Sequence, residues 1–394
     1  MSRRAAGVAL IAVTLLIVAL STGAAIYFLV AALLFSMLVI GLLTALFTLF
    51  TLSVMSHSPR SKVVRGENIA IRLQVRRRTI LPVSEIVLHI SSPMDDGPSG
   101  RLPIHLRPLS TREYRYALAC PHRGQYTVGP SRVDVSDIFG LFLFSRAING
   151  GETQLDVLPK VYTMQPMVLE AGDTGPMMRV QVSEDAASPS GVRAYQDGDV
   201  LKKVHWKLTM RKRELMVRTY EESARPDTLI LLDVSPVNAI RSLALAIEDA
   251  LCEIALSMAM AQLKADHPVR MPLMTAKPVE PTGTHSNDFP KFMDAVSKLV
   301  FNGTYPYEQV LALAMRRTQR TGGAILVTSK LSATIADIAL KMHRFGMRVQ
   351  FIWITESSHS EALELLTRMK LGGIETRKID PWSTFSLQDG RDSA

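Results

Sequence analysis

The sequence predicts a multidomain chain: an N-terminal transmembrane α-hairpin, an antiparallel β-sandwich, and then a doubly wound α/β domain. Three observations carry that prediction. Residues 5–59 contain no Lys, Arg, Asp or Glu. Residues 68–159 alternate apolar and polar side chains with period two, and after Arg225 largely apolar runs alternate with helical patterns.

A membrane-spanning helix needs about 20 apolar residues, so the uncharged stretch holds two. They fall near residues 7–20 and 25–52, with Ser21, Thr22 and Gly23 as the break. A cleaved signal peptide also starts with basic residues and an apolar stretch, but that stretch is short and is not followed by a second, longer span. Arg3 and Arg4 flank one end of the hairpin, and Arg60, Lys62 and Arg65 flank the other. The positive-inside bias then places both ends, and everything that follows, in the cytoplasm.

Composition agrees with an anchored protein. Of the 394 residues 47% are hydrophobic and only 21% charged, with a net charge of +9. The basic residues are scattered and no zinc-finger spacing occurs, so the expected partner of that charge is the lipid bilayer, with no nucleic acid expected. Two cysteines, Cys120 and Cys252, are too few and too far apart for a disulfide framework.

In the β-rich region, Ile69, Ile71, Leu73 and Val75 alternate with polar neighbours, as do Ile86, Leu88 and Ile90. Further strands are expected at residues 114–119, 126–128, 133–135, 142–144 and 155–158, separated by Pro, Gly and Asp clusters. Residues 161–190 lack sustained periodicity and read as a linker. Beyond Arg225, apolar strands are expected at 228–233, 269–274, 324–328 and 349–354. Helices are expected at 238–264, 287–300, 307–320, 333–345 and 360–371. Apolar strands separated by helices indicate a parallel sheet covered on both faces. The resulting division is an anchor over 1–56, a β-sandwich over 57–160, a linker over 161–190, a dense segment over 191–226, the α/β domain over 227–380 and a flexible tail over 381–394.

The densest chemistry lies in residues 191–222, GVRAYQDGDVLKKVHWKLTMRKRELMVRTYEE. Asp197, Gly198 and Asp199 read as a tight turn, with Asp199 able to cap a short helical turn running through Trp206. Val200, Val204 and Leu208 give that turn an apolar side, and Leu215, Val217 and Thr219 read as a strand. Two roles are open. As a clasp, Trp206 fills a groove between domains while Arg193 and Arg211 pair with Asp199, Glu214 or Glu221. As a docking surface, Lys202, Lys203, Lys207, Arg211, Lys212 and Arg213 face an acidic partner.

This stretch resembles the signature of the bacterial membrane proteins called the domain of unknown function fifty-eight family. The matching residues are Gly191, Arg193, Tyr195, Gly198, Asp199, Trp206, Lys207, Arg211, Glu214, Leu215 and Glu221. RGQYTVGP at 123–130 and DIFGLF at 137–142 resemble its second recurring element. The resemblance implies a von Willebrand factor A-like α/β domain, the bacterial inner membrane, and work alongside a MoxR-type AAA+ ATPase as an adaptor.

A von Willebrand metal site holds magnesium with Asp-x-Ser-x-Ser and oxygen donors from later loops. The corresponding run is Asp233-Val234-Ser235-Pro236-Val237, so Asp233 and Ser235 are weak metal candidates and Val237 cannot ligate. Where a later acidic ligand would stand the chain offers Ser329 and Lys330. The plain alternative is that Asp233 and Ser235 cap the following helix. No catalytic residue is expected: there is no Asp-x-Asp, Gly-x-Ser-x-Gly or Walker A sequence, and no histidine lies at metal-ligand spacing. The expectation is therefore a non-enzymatic interaction or adaptor protein without a cofactor. A metal-dependent ligand-binding module and an envelope-associated hydrolase are the alternatives.

Overall fold

The computed structural model of the protein describes residues 3–57, 60–82, 85–91, 100–168, 191–196, 204–219, 227–316, 321–356 and 360–382. The chain divides into two compact units, Met1–Leu158 and Pro159–Ala394.

In the first unit, helices α1 (Arg3–Thr22) and α2 (Ala25–Thr51) run antiparallel around a turn in which Gly23 has φ +69°. Both are long and apolar enough to cross a membrane. Their large apolar side chains, Leu10, Phe35 and Phe50 among them, point outward, the arrangement of helices solvated by lipid.

Helix α2 ends at Thr51, and strand β1 is Leu52–His57, all but the last residue of which the sequence reading leaves in the anchor. The two elements are continuous in sequence and equally apolar at the junction, so no punctuation marks the change. The β region continues with β2 (Lys62–Val64), β3 (Asn68–Arg77), β4 (Glu85–Ser91), β5 (Gly100–Ile104), β6 (Thr111–Ala119), β7 (Gly124–Ser136), β8 (Leu143–Ala147) and β9 (Thr153–Leu158). One sheet has the order β1-β3-β6; the other runs β2-β9-β7-β4-β5, with β8 also on β7. All pairs are antiparallel except β2 with β9.

Ile69, Ile71, Leu73 and Val75 of β3 share one hydrophobic cluster with Ile86, Leu88 and Ile90 of β4 and with Leu49 and Leu52. Each such side chain contributes roughly 1.5–3 kcal/mol on burial. The two strands expected at 126–128 and 133–135 are one strand, β7. Its ladder with β4 shifts register opposite His89 and Ile90, and Gly129 takes φ +148°, so the Gly-Pro pair bends the strand without ending it.

The second unit contains β10 (Gly191–Ala194), α3 (Trp206–Lys212), β11 (Met216–Thr219), β12 (Asp227–Leu232), α4 (Arg241–Lys264), β13 (Val269–Arg270), β14 (Thr282–Gly283), α5 (Phe289–Ser297), α6 (Tyr307–Arg316), β15 (Thr321–Thr328), α7 (Ala333–Arg344), β16 (Arg348–Ile354), α8 (Ser360–Leu371) and β17 (Glu375–Ile379). Six strands form one sheet in the order β14-β13-β12-β15-β16-β17, parallel except for β14 at the edge. Alternation along the central strands supplies two cores. Ile230, Leu232, Ile325, Val327, Ile352 and Ile354 pack with α4 and α5. Leu229, Leu231, Ala324, Leu326, Phe351 and Trp353 pack with α6, α7 and α8. Helices on both faces follow directly from strands that are apolar on both sides.

Part of the expected linker is held in place. Helix α4 buries Glu253, Ser257 and Gln262 among apolar residues, and each meets the backbone of residues 160–167. Lys160 N–H donates to Glu253 Oε1 (3.1 Å), Tyr162 N–H to Ser257 Oγ (2.9 Å), and Gln262 Nε2 to the Met167 carbonyl (3.2 Å). Buried polar groups must be paired, and this extended strap supplies the partners. Residues 169–190 lie outside the described residues.

Candidate functional site

In an open α/β sheet, ligands bind at the carboxyl ends of strands where the strand order reverses. Here the reversal lies between β12 and β15, since β13 and β14 extend to one side and β16 and β17 to the other. Asp233 follows β12 directly, and Thr328 ends β15.

Asp233 is 2% exposed and its carboxylate is already fully engaged. Oδ1 accepts from the backbone N–H of Ser235 (3.0 Å) and from the Ser235 hydroxyl. Oδ2 accepts from the Thr328 hydroxyl at 2.7 Å. Thr328 Oγ1 also accepts from Lys330 N–H at 2.9 Å. Lys330 Nζ donates to Ser235 Oγ at 2.8 Å, so one lysine ties both strand ends together through a serine. Tyr307, fully buried beneath, donates to the Leu231 carbonyl at 2.8 Å. Burial first and the Asp233 charge second push its phenol well above the usual range.

This donor set does not fit magnesium. A hard divalent ion needs about six oxygen ligands, whereas the one carboxylate has both oxygens occupied and the second ligand of the pattern accepts from an ammonium. No group of three or more His, Cys, Asp or Glu is placed to hold a metal among the described residues. The Ser235–Lys330 pair does not form a nucleophile and base either. The serine proton goes to Asp233 while the lysine donates to the same oxygen, which is the reverse of what deprotonating the serine requires. Asp233 and Ser235 do not cap the next helix: α4 begins at Arg241, and its N-cap, Ile240, makes no side-chain bond. Asp233 instead closes its own turn through Ser235. Thr328 was not singled out from sequence; a hydroxyl ending an apolar strand opposite Asp233 is its only signal.

The dense segment forms a separate small structure. Strands β10 and β11 pair antiparallel, extended by the Tyr195 N–H bond to the Leu215 carbonyl (2.8 Å) and by a bridge between Val204 and Val217. Helix α3 begins only at Trp206, and its N-cap is His205, whose Nδ1 accepts from Leu208 N–H at 3.2 Å. Val204 is therefore a strand-like, buried residue and not part of a helix; its apolar side chain answers the Val217 strand across from it. The helix ends at Arg213, which has φ +56° and donates its N–H to the Thr209 carbonyl. Thr209 Oγ1 accepts from Met216 N–H at 3.0 Å and so fixes the helix to β11.

Of the sequence candidates, Trp206, Lys207 and Arg211 lie together on this seven-residue helix, and all are exposed. Trp206 is 61% exposed and Met210 82%, while Lys212, Arg213 and Glu214 are exposed beside them. Arg193 is exposed on β10, with Nη1 donating to the Ala194 carbonyl, and Tyr195 is half-buried at its end. Asp199 and Glu221 lie outside the described residues, as do Lys202 and Lys203.

Several solved structures show a local likeness. The CARDB domain of a Pyrococcus furiosus protein, in complex with di-metal ions, is 14% identical, with 27% of this chain and 89% of that one covered and a TM-score of 0.19. The sporulation control protein Spo0M of Bacillus subtilis is 12% identical over 37% of this chain and 58% of its own, at 0.16. A Paenibacillus cycloisomaltooligosaccharide glucanotransferase is 8% identical over 76% and 44%, at 0.19. No curated protein matches. Residues 191–378, which span the signature hairpin, its helix and the sheet through β17, match the family model described as "Protein of unknown function DUF58", and this region belongs to that family.

Proposed function

We propose that the chain is a membrane-anchored, non-enzymatic interaction protein. Helices α1 and α2 cross the bacterial inner membrane with both ends cytoplasmic, and the β region, read as a sandwich, and the von Willebrand factor A-like domain stand in the cytoplasm. The observation that carries the reading is the exposed face of α3. A tryptophan and a methionine stand in solvent beside Lys207, Arg211, Lys212 and Arg213. Aromatic, Met and Arg side chains are the types enriched at protein interfaces, and an isolated folded domain gains nothing by exposing them. The closed Asp233 cluster supports the non-enzymatic part, because its groups satisfy one another.

The resemblance to the family supplies the partner class: a MoxR-type AAA+ ATPase, recruited to the membrane or presented with substrates during membrane or envelope protein assembly. The experiment is charge reversal with the K207E/R211E variant, followed by pull-down from native membranes. Loss of the ATPase with the chain still folded is expected; retention at the wild-type level would refute the docking role of this face.

A further inference from the structure

The turn that joins β7 to β8, residues 137–142, exposes Ile138 (44%) and Phe139 (43%), and Leu143 just beyond it is 63% exposed. Three large exposed apolar side chains on and beside one turn of a β domain call for an explanation. The turn is closed internally: Asp137 is fully buried, its carboxylate accepts from Phe139 N–H (3.0 Å) and Phe142 N–H (2.6 Å), and Gly140 takes φ +65°.

It also lies against α2. A Cβ at Gly41 would come within 2.9 Å of Asp137 Oδ2, so the absent side chain is what admits the turn. An apolar cleft of about 450 Å³ is lined by Ala5 and Ala9 of α1, by Phe35, Leu38 and Leu42 of α2, and by Phe142–Phe144.

The level of this contact along the hairpin is decisive. Helix α1, at 20 residues, is about 30 Å long, the thickness of a hydrocarbon core. Arg3 and Arg4 stand at its cytoplasmic end, where long basic side chains reach the head groups. Ala9 lies five residues, about 7.5 Å, deeper than Arg4, and it faces the same cleft as Phe142–Phe144. Helix α2, about 40 Å long, has about 10 Å to spare, which it spends beside β7 and β8 with Leu49 in the β core.

We propose that residues 138–143 form a third membrane contact, with Ile138, Phe139 and Leu143 seated in the bilayer at the boundary of head groups and acyl chains. Interfacial elements bury their apolar face about 5–10 Å deep, which is the depth that the cleft's walls define. The β region is then held against the membrane surface at a fixed height and angle rather than hanging from the end of α2. The inference rests on the hairpin crossing the membrane.

The test uses the full chain in vesicles of phosphatidylcholine and phosphatidylglycerol, with an environment-sensitive fluorophore on F139C. Cys120 and Cys252 are buried, and burial, then the Glu67 charge, raises the Cys120 thiol pKa, so labelling falls on the introduced residue. Expected is a blue-shifted emission, at least twofold quenching by lipid carrying a nitroxide near the head group, and protection from aqueous iodide. Emission open to iodide would overturn the proposal, and so would a shielded label that no nitroxide lipid quenches, since protein would then cover the turn. The same label on F35C separates the two readings. If F35C is quenched and F139C is not, the turn inference fails and the anchor stands; if neither is quenched, the anchor itself fails.

Discussion

Replacing Thr328 with valine, which keeps the shape and removes the hydroxyl, tests the account of the Asp233 cluster. Thr328 is fully buried at the end of β15, and its hydroxyl proton goes to the Asp233 carboxylate at 2.7 Å. The variant leaves Asp233 Oδ2 with one donor fewer and Lys330 N–H without its acceptor. A hydrogen bond to a charged group is worth about 1.5–3 kcal/mol, and an unpaired buried donor costs about 1–3 kcal/mol. The two effects share one atom, so the expected loss is about 2–4 kcal/mol. At roughly 2–4 °C per kcal/mol for a unit of this size, the midpoint falls by about 5–15 °C. The assay is urea or thermal unfolding of the full chain in detergent, followed by fluorescence of Trp353, which is buried and donates through Nε1 to the Ser329 carbonyl at 3.1 Å. T328S retains the hydroxyl and loses only a methyl group, about 1 kcal/mol. Equal stability of T328V and T328S would refute the claim that the cluster is closed by this bond.

Further outcomes are expected elsewhere. S257A removes the acceptor of Tyr162 N–H and costs about 1–3 kcal/mol; limited proteolysis within residues 160–168 should accelerate, and unchanged cleavage would mean that the strap is held by other contacts. The double variant V237S/K330D restores the metal pattern and removes the competing ammonium, so magnesium should raise its unfolding temperature while leaving the wild type unmoved; stabilisation of the wild type by magnesium would contradict the donor-set argument. Two carboxyls contribute to the acid limb of the stability curve. Burial raises the Asp134 pKa, but hydrogen bonds from Ser145, His89 and Arg132 outweigh it and hold the group below the usual range. The Lys291 hydrogen bond, then the Thr284 N–H, brings Asp288 down to about 2. Both folded values lie below the unfolded value of about 3.9, so their contribution is present above that pH and disappears as pH falls from about 4 toward 2. D134N/D288N should flatten that part of the stability curve, and an unchanged slope would rule these groups out.

The elements that the sequence made legible are those whose periodicity reports their burial. Strands β12, β15 and β16 are buried on both faces and read as unbroken apolar runs, and the four-residue rhythm of the following helices points at them. Strand β17, Glu375–Ile379, escaped because it is an edge strand with Glu375, Arg377 and Lys378 facing solvent. Strand β1 was hidden by its apolar continuity with α2, and the strap at 160–167 by having its partners about 90 residues away on α4. The same distance limited the site. Asp233 and Ser235 can be read from their spacing, and Lys330 from its place where an acidic ligand would stand, but its bond to Ser235 and the role of Thr328 exist only once β12 and β15 are paired. The expected cap at Asp199 lies outside the described residues; the helix that is described starts at Trp206 with His205 as its N-cap, next to the Val204–Val217 bridge.

The most direct measurement is photo-crosslinking in native membranes from a reactive amino acid placed at Trp206, with the products identified by mass spectrometry. Docking predicts a crosslink to a second protein, a MoxR-type AAA+ ATPase, that is lost in K207E/R211E. Crosslinks confined to other residues of the same chain would contradict it and establish the segment as a clasp.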